Sequence, residues 1–446
     1  MDQFYYPTGI AIHHEPPGCV AGTAGCQSQL LVVSSNFDLV YDVTQGGTLI
    51  SVDVGKALAD AAVPGAPSPL PLTPLGAVQI GSFGGELAIV DAETCPGWTG
   101  GAQALVASRS LVELYRVDIG SQGALSCGGA CVVPLDSSIA DPFDVTIACG
   151  LFPVAPGAPP SQQALAFVTY LRAVDAHGWL SEIDLAATDA TGQPSSPMTS
   201  VNLQISPTGQ SVFDPSTTRI YVTGRFSQSG YSPLRWFELA TPGAEPASAN
   251  LATVIRGADP RGIAISSDHT RAYVGMRLYD QDLAISYDSR PATDLGGALA
   301  VIDLAALTSG SPTLGIIDIV PLDVGVTEVR AIARPGKRDL VAVVATDNST
   351  LTLYDDDAGA IAQVFGVCGA LASGAGNLSA PAPCDDGAPM LGFQPFGLAV
   401  EPLADGTVRL YVGSFDRGWI NVLQIDPMHP AAVPTSWIRI GPERTP

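Results

Sequence analysis

The sequence predicts an all-β fold: a seven-bladed β-propeller of four-stranded antiparallel blades with long Ala/Pro/Gly-rich loops. Three observations predict it. Seven short apolar strands end on a carboxylate, at Asp53, Asp118, Asp184, Glu238, Asp303, Asp355 and Asp426, and successive carboxylates lie 52 to 71 residues apart. Each of these strands stands third in a recurring set, A to D, of apolar segments cut by Gly, Pro, Asp and Asn turns, the pattern of antiparallel sheet. The 48 glycines and 37 prolines supply the many turns such a chain needs. Self-similarity at this period means supersecondary units that bury their faces against one another.

In chain order, the first repeat (1–81) has PTGIAI, LLVVSSNFD and LISVDV, and the second (82–140) has GELAIV, ALVAS and LVELYRVD. The third (141–200) has FDVTIA, LAFVTY and LSEID. The fourth (201–257) keeps TRIYVTG and LRWFE, with a faint first strand near Gln210 to Phe213. The fifth (258–326) is the clearest: Gly262 to Ile265 turns at Ser-Ser-Asp-His into Arg271 to Gly275, then GALAVIDLA and TLGIIDIVPLDVG follow. The sixth (327–392) has VRAIAR, LVAVVAT and STLTLYD; the seventh (393–446) has PFGLAV, VRLYVGSFD, INVLQID and SWIRIG.

Four-stranded units repeated radially close into a propeller, and the whole chain reads as one such domain. A linear solenoid would need polar capping repeats at its ends, and the terminal repeats here look like ordinary blades. The order from strand A at Pro7 to strand D at Trp437 to Ile440 predicts whole blades meeting edge to edge, with the Phe4 to Tyr6 stretch as an alternative clasp. These blades exceed the roughly 40–45 residues of a typical one. The excess lies in loops at 55–77, 150–163, 186–199, 241–250, 305–312 and 366–392, which read as surface decoration.

Net charge is −23, and only Lys56 and Lys337 are lysines among 20 basic residues. Such a surface repels phosphate backbones and anionic headgroups, which argues against nucleic-acid and membrane-surface roles. No apolar run reaches the roughly 20 residues that span a bilayer.

Cysteines stand at 19, 26, 95, 127, 131, 149, 368 and 384, and an even count in local pairs predicts disulfides in an oxidising compartment. Cys19 with Cys26 and Cys368 with Cys384 would staple loops. Cys127 with Cys131 leaves Cys95 for Cys149; the alternative is 95 with 127 and 131 with 149. The absence of C-x-x-C removes the zinc-ribbon, thioredoxin and haem signatures. Disulfides require export, so a secretory signal, with or without a lipidated cysteine, is expected ahead of Met1, and the location is extracytoplasmic: periplasm, outer surface or medium.

P-x-G-I-A-[IV] at 7–12 and its counterparts at 260–265 and 395–400, with Y-V-[TG] at 221, 273 and 411, resemble YVTN-type propeller repeats. The opening YPTGIAI and VVSSNFDLVYD resembles exported propeller lipoproteins of high-GC bacteria. The resemblance implies an exported propeller and no particular activity, since propellers host many functions.

Antiparallel order brings strand-A starts and strand-B ends to one face. Arg109, Arg172, Arg225, Arg277 and Arg417 follow B strands there, and Arg261 and Arg330 start A strands. Guanidinium groups offer bidentate donors, so this face is the candidate ligand-binding surface. The competing reading pairs each arginine with a neighbouring Asp38, Asp144, Asp175, Asp280 or Asp416. The strand-C carboxylates fall on the opposite face, where Asp holds turns through backbone amides.

No catalytic residue is identified. G-x-S-x-G, H-E-x-x-H and the P-loop pattern are absent. Histidines 13, 14, 177, 269 and 429 read as strand-end or loop residues, and neighbours His13 and His14 point to opposite faces. Trp179, Trp236 and Trp419 read as packing between blades. No cofactor is expected; Ca²⁺ at Asp355-Asp356-Asp357 or at Asp280, Asp282, Asp288 and Asp294 is the remaining candidate, without a calcium-loop pattern. The expected function is a non-enzymatic binding or assembly module, a scaffold at the cell surface, presenting the arginine face to a protein, glycan or identical subunit. The alternative is a lactonase-like or metal-assisted hydrolase acting on an anionic small molecule.

Overall fold

The computed structural model describes the chain apart from residues 1–3, 40–43, 45, 129–130, 154, 156, 173, 175–176, 188–197, 226–230, 242, 280–293, 312, 367–390, 392–393 and 442–446. Seven antiparallel sheets follow in chain order, each paired A-B-C-D; the second carries a fifth strand, Val132–Pro134, on its strand C. The A strands, Pro7–Glu15, Gly84–Val90, Pro142–Pro153, Thr208–Asp214, Ala258–Ile265, Val326–Arg334 and Pro395–Pro402, form the inner ring. Each packs against the A strands before and after it, and the first packs against the last. Among the described residues helix is confined to a few short segments, chiefly α1 (Val54–Ala61) and α2 (Leu304–Thr308).

Both faces of a middle strand are covered by neighbouring blades, so these strands are apolar without alternation. Leu30, Leu31, Val32 and Val33 of the first B strand are all fully buried. The outer strand Ile316–Leu322, half open to solvent, alternates between more and less exposed residues instead. Tyr221, Tyr273 and Tyr411, the aromatic of the Y-V repeat, sit fully buried between blades. Hydroxyls fasten blade to blade: Thr169 donates to the Gly209 carbonyl, Thr223 to that of Arg261 and Thr346 to that of Pro395.

The ring closes between complete blades, and the clasp comes from an unexpected place. The 55–77 segment, expected as decoration, begins with α1 and then runs along the last blade. Its Leu70 N–H donates to the Arg439 carbonyl, and the Gly441 N–H donates back to Leu70. Leu70 and Leu72 are buried there, which contributes about 1.5–3 kcal/mol each. A second tie joins Ala21 to Leu403 as a parallel bridge. The Phe4 to Tyr6 stretch stays with its own blade, where the Tyr5 N–H donates to Ser34, while the Phe4 ring fills the seam against Gly441.

Two further differences have simple causes. Strand Met198–Ile205 belongs to the third blade, so the third blade extends past 200. The first half of the segment at 305–312 is helix, where Asp303 caps α2 by accepting from the Ala306 N–H. Asp53 caps α1 in the same way, and Asp184, Asp355 and Asp426 accept turn amides. Asp118 and Glu238 instead receive side-chain bonds from Gln103 and Arg219.

Candidate functional site

Every A strand carries a register irregularity next to its start, between Pro7 and Ile10 in the first blade and at the matching place in the other six. A bulge re-aims the residue it contains. Gly9, Glu86, Asp144, Gln210, Gly262 and Gly397 fall within it in their blades, and Glu328, the first paired residue after it, holds the matching place in the sixth. Contacts between blades that are not neighbours place the four polar ones at the propeller axis. Gln210 of the fourth blade donates to Glu328 of the sixth, passing over Gly262 of the fifth. Glu328 also takes the Arg330 guanidinium at 3.1 Å, and Arg330 reaches Glu86 of the second blade at 3.9 Å.

Glu86, Asp144, Gln210 and Arg330, but not Glu328, line a cavity of about 480 Å³ that extends to Ser266, Ser267 and His269 of the fifth A–B hairpin. It therefore opens on the hairpin face, opposite the B-strand arginines. Glu86 is 3% exposed, and its Oε1 has no hydrogen-bond partner. Burial, then the charge of Glu328, pushes the Glu86 carboxyl well above its ordinary value. Burial pushes Asp144 up to about 6, opposed by the Ser211 N–H at 2.7 Å and hydroxyl at 2.8 Å. Burial lowers Arg330, but Glu328, Glu86 and Asp144 outweigh it and hold the guanidinium above its usual value. Arg330 is enclosed by protein yet keeps 32% of its side-chain surface open, so that surface faces the cavity.

Aromatic rings cover the other end of the axis. Phe143 of the third blade and Phe396 of the seventh lie 6.2 Å apart, and Phe396 continues to Phe415 at 6.2 Å. Phe415 contacts Tyr6 and Phe37, and Phe37 meets Phe83 edge-on at 5.1 Å. Phe37 is 44% exposed, so the cluster reaches the surface of the face where the B strands end.

Of the five predicted arginines, Arg109, Arg172, Arg225 and Arg417 follow the ends of B strands, whereas Arg277 lies inside its own, opposite Asp259. Arg109 pairs with Asp141 and Arg277 with Asp347, each on the following blade. Arg172 is exposed; Arg225 and Arg417 are partly covered. Arg261 pairs with Asp259. Arg330, expected on the same face, lies deeper, opposite Ala342 in its sheet, and belongs to the cavity. Of the suggested aspartate partners, Asp144 also lies at the axis.

Disulfides join Cys19 to Cys26, Cys127 to Cys131, and Cys95 of the second blade to Cys149 of the third. Cys368 and Cys384 lie outside the described residues. In the Asp triplet, Asp355 binds Arg334, while Asp356 receives Arg271 and the Tyr273 hydroxyl from the fifth blade. Among the described residues no group of three or more His, Cys, Asp or Glu is placed to hold a metal ion. Asp280, Asp282 and Asp288 lie outside the described residues, as does the side chain of Asp294. His13 pairs with Asp91, His14 with Glu93 and Glu401, and His269 with Asp214, each across a blade boundary. His177 opens a C strand rather than sitting in a loop.

No protein-family model matches the chain, and no curated protein matches it. Among solved structures it is similar to the periplasmic gluconolactonase of Pseudomonas aeruginosa, at 12% identity over 90% of this chain and 94% of that one, with a TM-score of 0.49. A protein from Lactobacillus plantarum matches at 15% identity over 75% and 80%, with a TM-score of 0.44. Hydrazine synthase of Kuenenia stuttgartiensis matches at 15% identity over 73% and 74%, with a TM-score of 0.43. None of these likenesses carries an activity over to this chain.

Proposed function

We propose that this protein is an extracytoplasmic binding module of the YVTN-repeat kind, using the face on which its B strands end. The observation that carries this reading is the aromatic cluster of Tyr6, Phe37, Phe83 and Phe415 on that face, with Phe37 44% exposed. Arg109, Arg172, Arg225, Arg277 and Arg417 are the candidate donors of the same reading. Aromatic and arginine side chains are the residues that most often dominate binding at interfaces. The partner is a protein, a glycan or an identical subunit. The disulfides fit an oxidising, extracytoplasmic setting, and among the described residues no helix is long and apolar enough to cross a membrane.

The test compares the wild-type protein with Phe37→Ala and with the Arg172→Ala/Arg225→Ala/Arg277→Ala triple variant. Capture of envelope proteins, binding to a glycan array and sedimentation velocity are read together. Loss of the captured species in both variants, with unchanged melting, supports the face. Capture that survives both variants removes it.

A hydrolytic reading has one observation in its favour. Asp144, at about 6, has the pKa of a general base working near neutrality, and Arg330 lies in the same cavity. Turnover of lactones or phosphate esters that is lost in Asp144→Asn would establish it; a screen at background level would end it.

A further inference from the structure

We propose that the axial cavity is a binding site for a small organic monocarboxylate, a single carboxylate on an apolar body, entering from the A–B hairpin face and received by the open edge of Arg330. This site is separate from the face on which the B strands end, so either can fail without the other.

Exposure singles out the guanidinium. Of the polar groups that the inner strands bring to the cavity, Glu86 is 3% exposed, Gln210 4%, Asp144 6% and Ser211 8%, whereas the Arg330 side chain keeps 32% of its surface. Its Nη1 donates to the Val329 carbonyl at 2.9 Å and lies 3.1 Å from Glu328. Nη2 stands 3.9 Å from Glu86, beyond hydrogen-bond distance, and among the described residues no acceptor takes a hydrogen bond from Nη2 or Nε. Those two nitrogens form one edge of the guanidinium, a fork that matches the two oxygens of a carboxylate.

The neighbouring acids are engaged elsewhere. Glu328 is 1% exposed, takes the Gln210 amide on one oxygen and faces Nη1 with the other. Asp144 is held by the Ser211 N–H at 2.7 Å and hydroxyl at 2.8 Å. Burial and the charge of Glu328 push the Glu86 carboxyl toward its neutral form, so it competes weakly for the open edge. An ionised acceptor makes a stronger hydrogen bond to a guanidinium than a neutral carbonyl does, which favours a carboxylate over an ester or amide.

Lining separates a monocarboxylate from a more highly charged anion. Among the described residues Arg330 is the one arginine or lysine that lines the cavity, and Asp144 lines it too. A phosphate dianion would therefore bring a second charge with nothing to balance it. The volume of about 480 Å³ leaves room for a body beyond the carboxylate, and half-buried Val212, Phe213 and Ile265 offer that body apolar wall.

A proton accompanies the ligand. Burial pushes Asp144 up to about 6. The charged groups facing it are Glu86 from the second inner strand and Glu328 and Arg330 from the sixth; the fourth brings neutral Ser211 and Gln210, and the fifth hairpin brings His269 to the same cavity. A carboxylate bound nearby favours the neutral form of Asp144, so binding takes up a proton and the net charge of the cavity changes little. Affinity therefore falls as pH rises above about 6.

The experiment is calorimetric titration of the intact protein with hexanoate, hexanamide, hexyl phosphate and hexylamine, at several pH values and in buffers of different ionisation enthalpy. The expected result is that hexanoate binds on the order of tenfold or more tighter than the other three, with proton uptake. Arg330→Lys keeps a charge for Glu328 but offers no fork, so it weakens hexanoate on the order of tenfold. Asp144→Asn, whose amide oxygen still accepts from Ser211, removes the proton uptake, flattens the pH dependence and tightens hexanoate at neutral pH; melting curves of both variants report folding. No binding of hexanoate near pH 5.5, equal affinity for hexanoate and hexanamide, tighter binding of the phosphate or the amine, or an Asp144→Asn variant with unaltered proton uptake each overturns the proposal.

Discussion

His14 Nε2 lies 3.2 Å from Glu401 Oε1, so the inner strand of the first blade is tied to that of the last by a charged hydrogen bond. The other ring nitrogen lies 3.1 Å from Glu93 of the second blade, so one imidazole joins three blades.

The hydrogen bond to Glu401 raises the His14 pKa above 6.5; burial opposes it, and Glu93 adds to it. A folded-state pKa above the unfolded one stabilises fully below about 6.5 and loses that stabilisation as pH climbs through the raised value. His14→Gln keeps a donor and removes the charge. Urea unfolding should show it weaker by about 1–2 kcal/mol near pH 5.5, with the gap closing near pH 8.5. A gap independent of pH would show that His14 acts only by shape.

Asp144 has the same sign for a different reason. Its carboxyl titrates at about 6 in the folded protein against an ordinary 3.8, so the folded state binds more protons between these values. Stability contributed by this group is complete at low pH and falls as pH rises through that window. Asp144→Asn should remove that slope and gain about 2–3 kcal/mol relative to wild type near neutrality. The check is the difference between the two urea midpoints from about pH 4 to pH 7.

Adjacent aspartates should behave unlike each other. Asp356 is buried between Arg271 and Tyr273 of the preceding blade, while Asp357 is exposed. Asp356→Ala leaves a covered guanidinium and a phenol unpaired and should cost about 3–5 kcal/mol. Asp357→Ala should change thermal stability by less than about 0.5 kcal/mol.

The Cys95–Cys149 disulfide closes 54 residues and staples the second blade to the third. In the chain-entropy account, removing such a cross-link costs about 4 kcal/mol. The Cys95→Ser/Cys149→Ser variant should lower the urea midpoint accordingly. Reduction of wild type should shift it in the same direction.

Strand order is legible because coverage on both sides forces runs such as VRLYVGS and LVAVVA, which no surface strand would tolerate. The axial cavity is not legible in this way. Glu86, Gln210 and Glu328 occupy the place held by glycine in P-x-G-I-A, and they look like erosion of the repeat until a bulge turns them to a common axis. The substitution of Gly9, Gly262 and Gly397 by acids and an amide in other blades was the available signal. Arg330 misleads because its distance from the strand start, not its type, decides between face and cavity. The aromatic cluster is scattered over more than 400 residues, from Tyr6 to Phe415, and nothing local connects its members. The clasp at Leu70 hides in a Pro-rich loop whose partner is the far end of the chain.

In rings closed by sharing a strand, parting the first and last blades means drawing that strand out of a sheet. Here both blades are complete, and a loop acts as a latch through the two Leu70 backbone bonds, the Ala21–Leu403 bridge and the His14 contacts. The blades at the seam can therefore part and re-engage without any strand leaving its sheet.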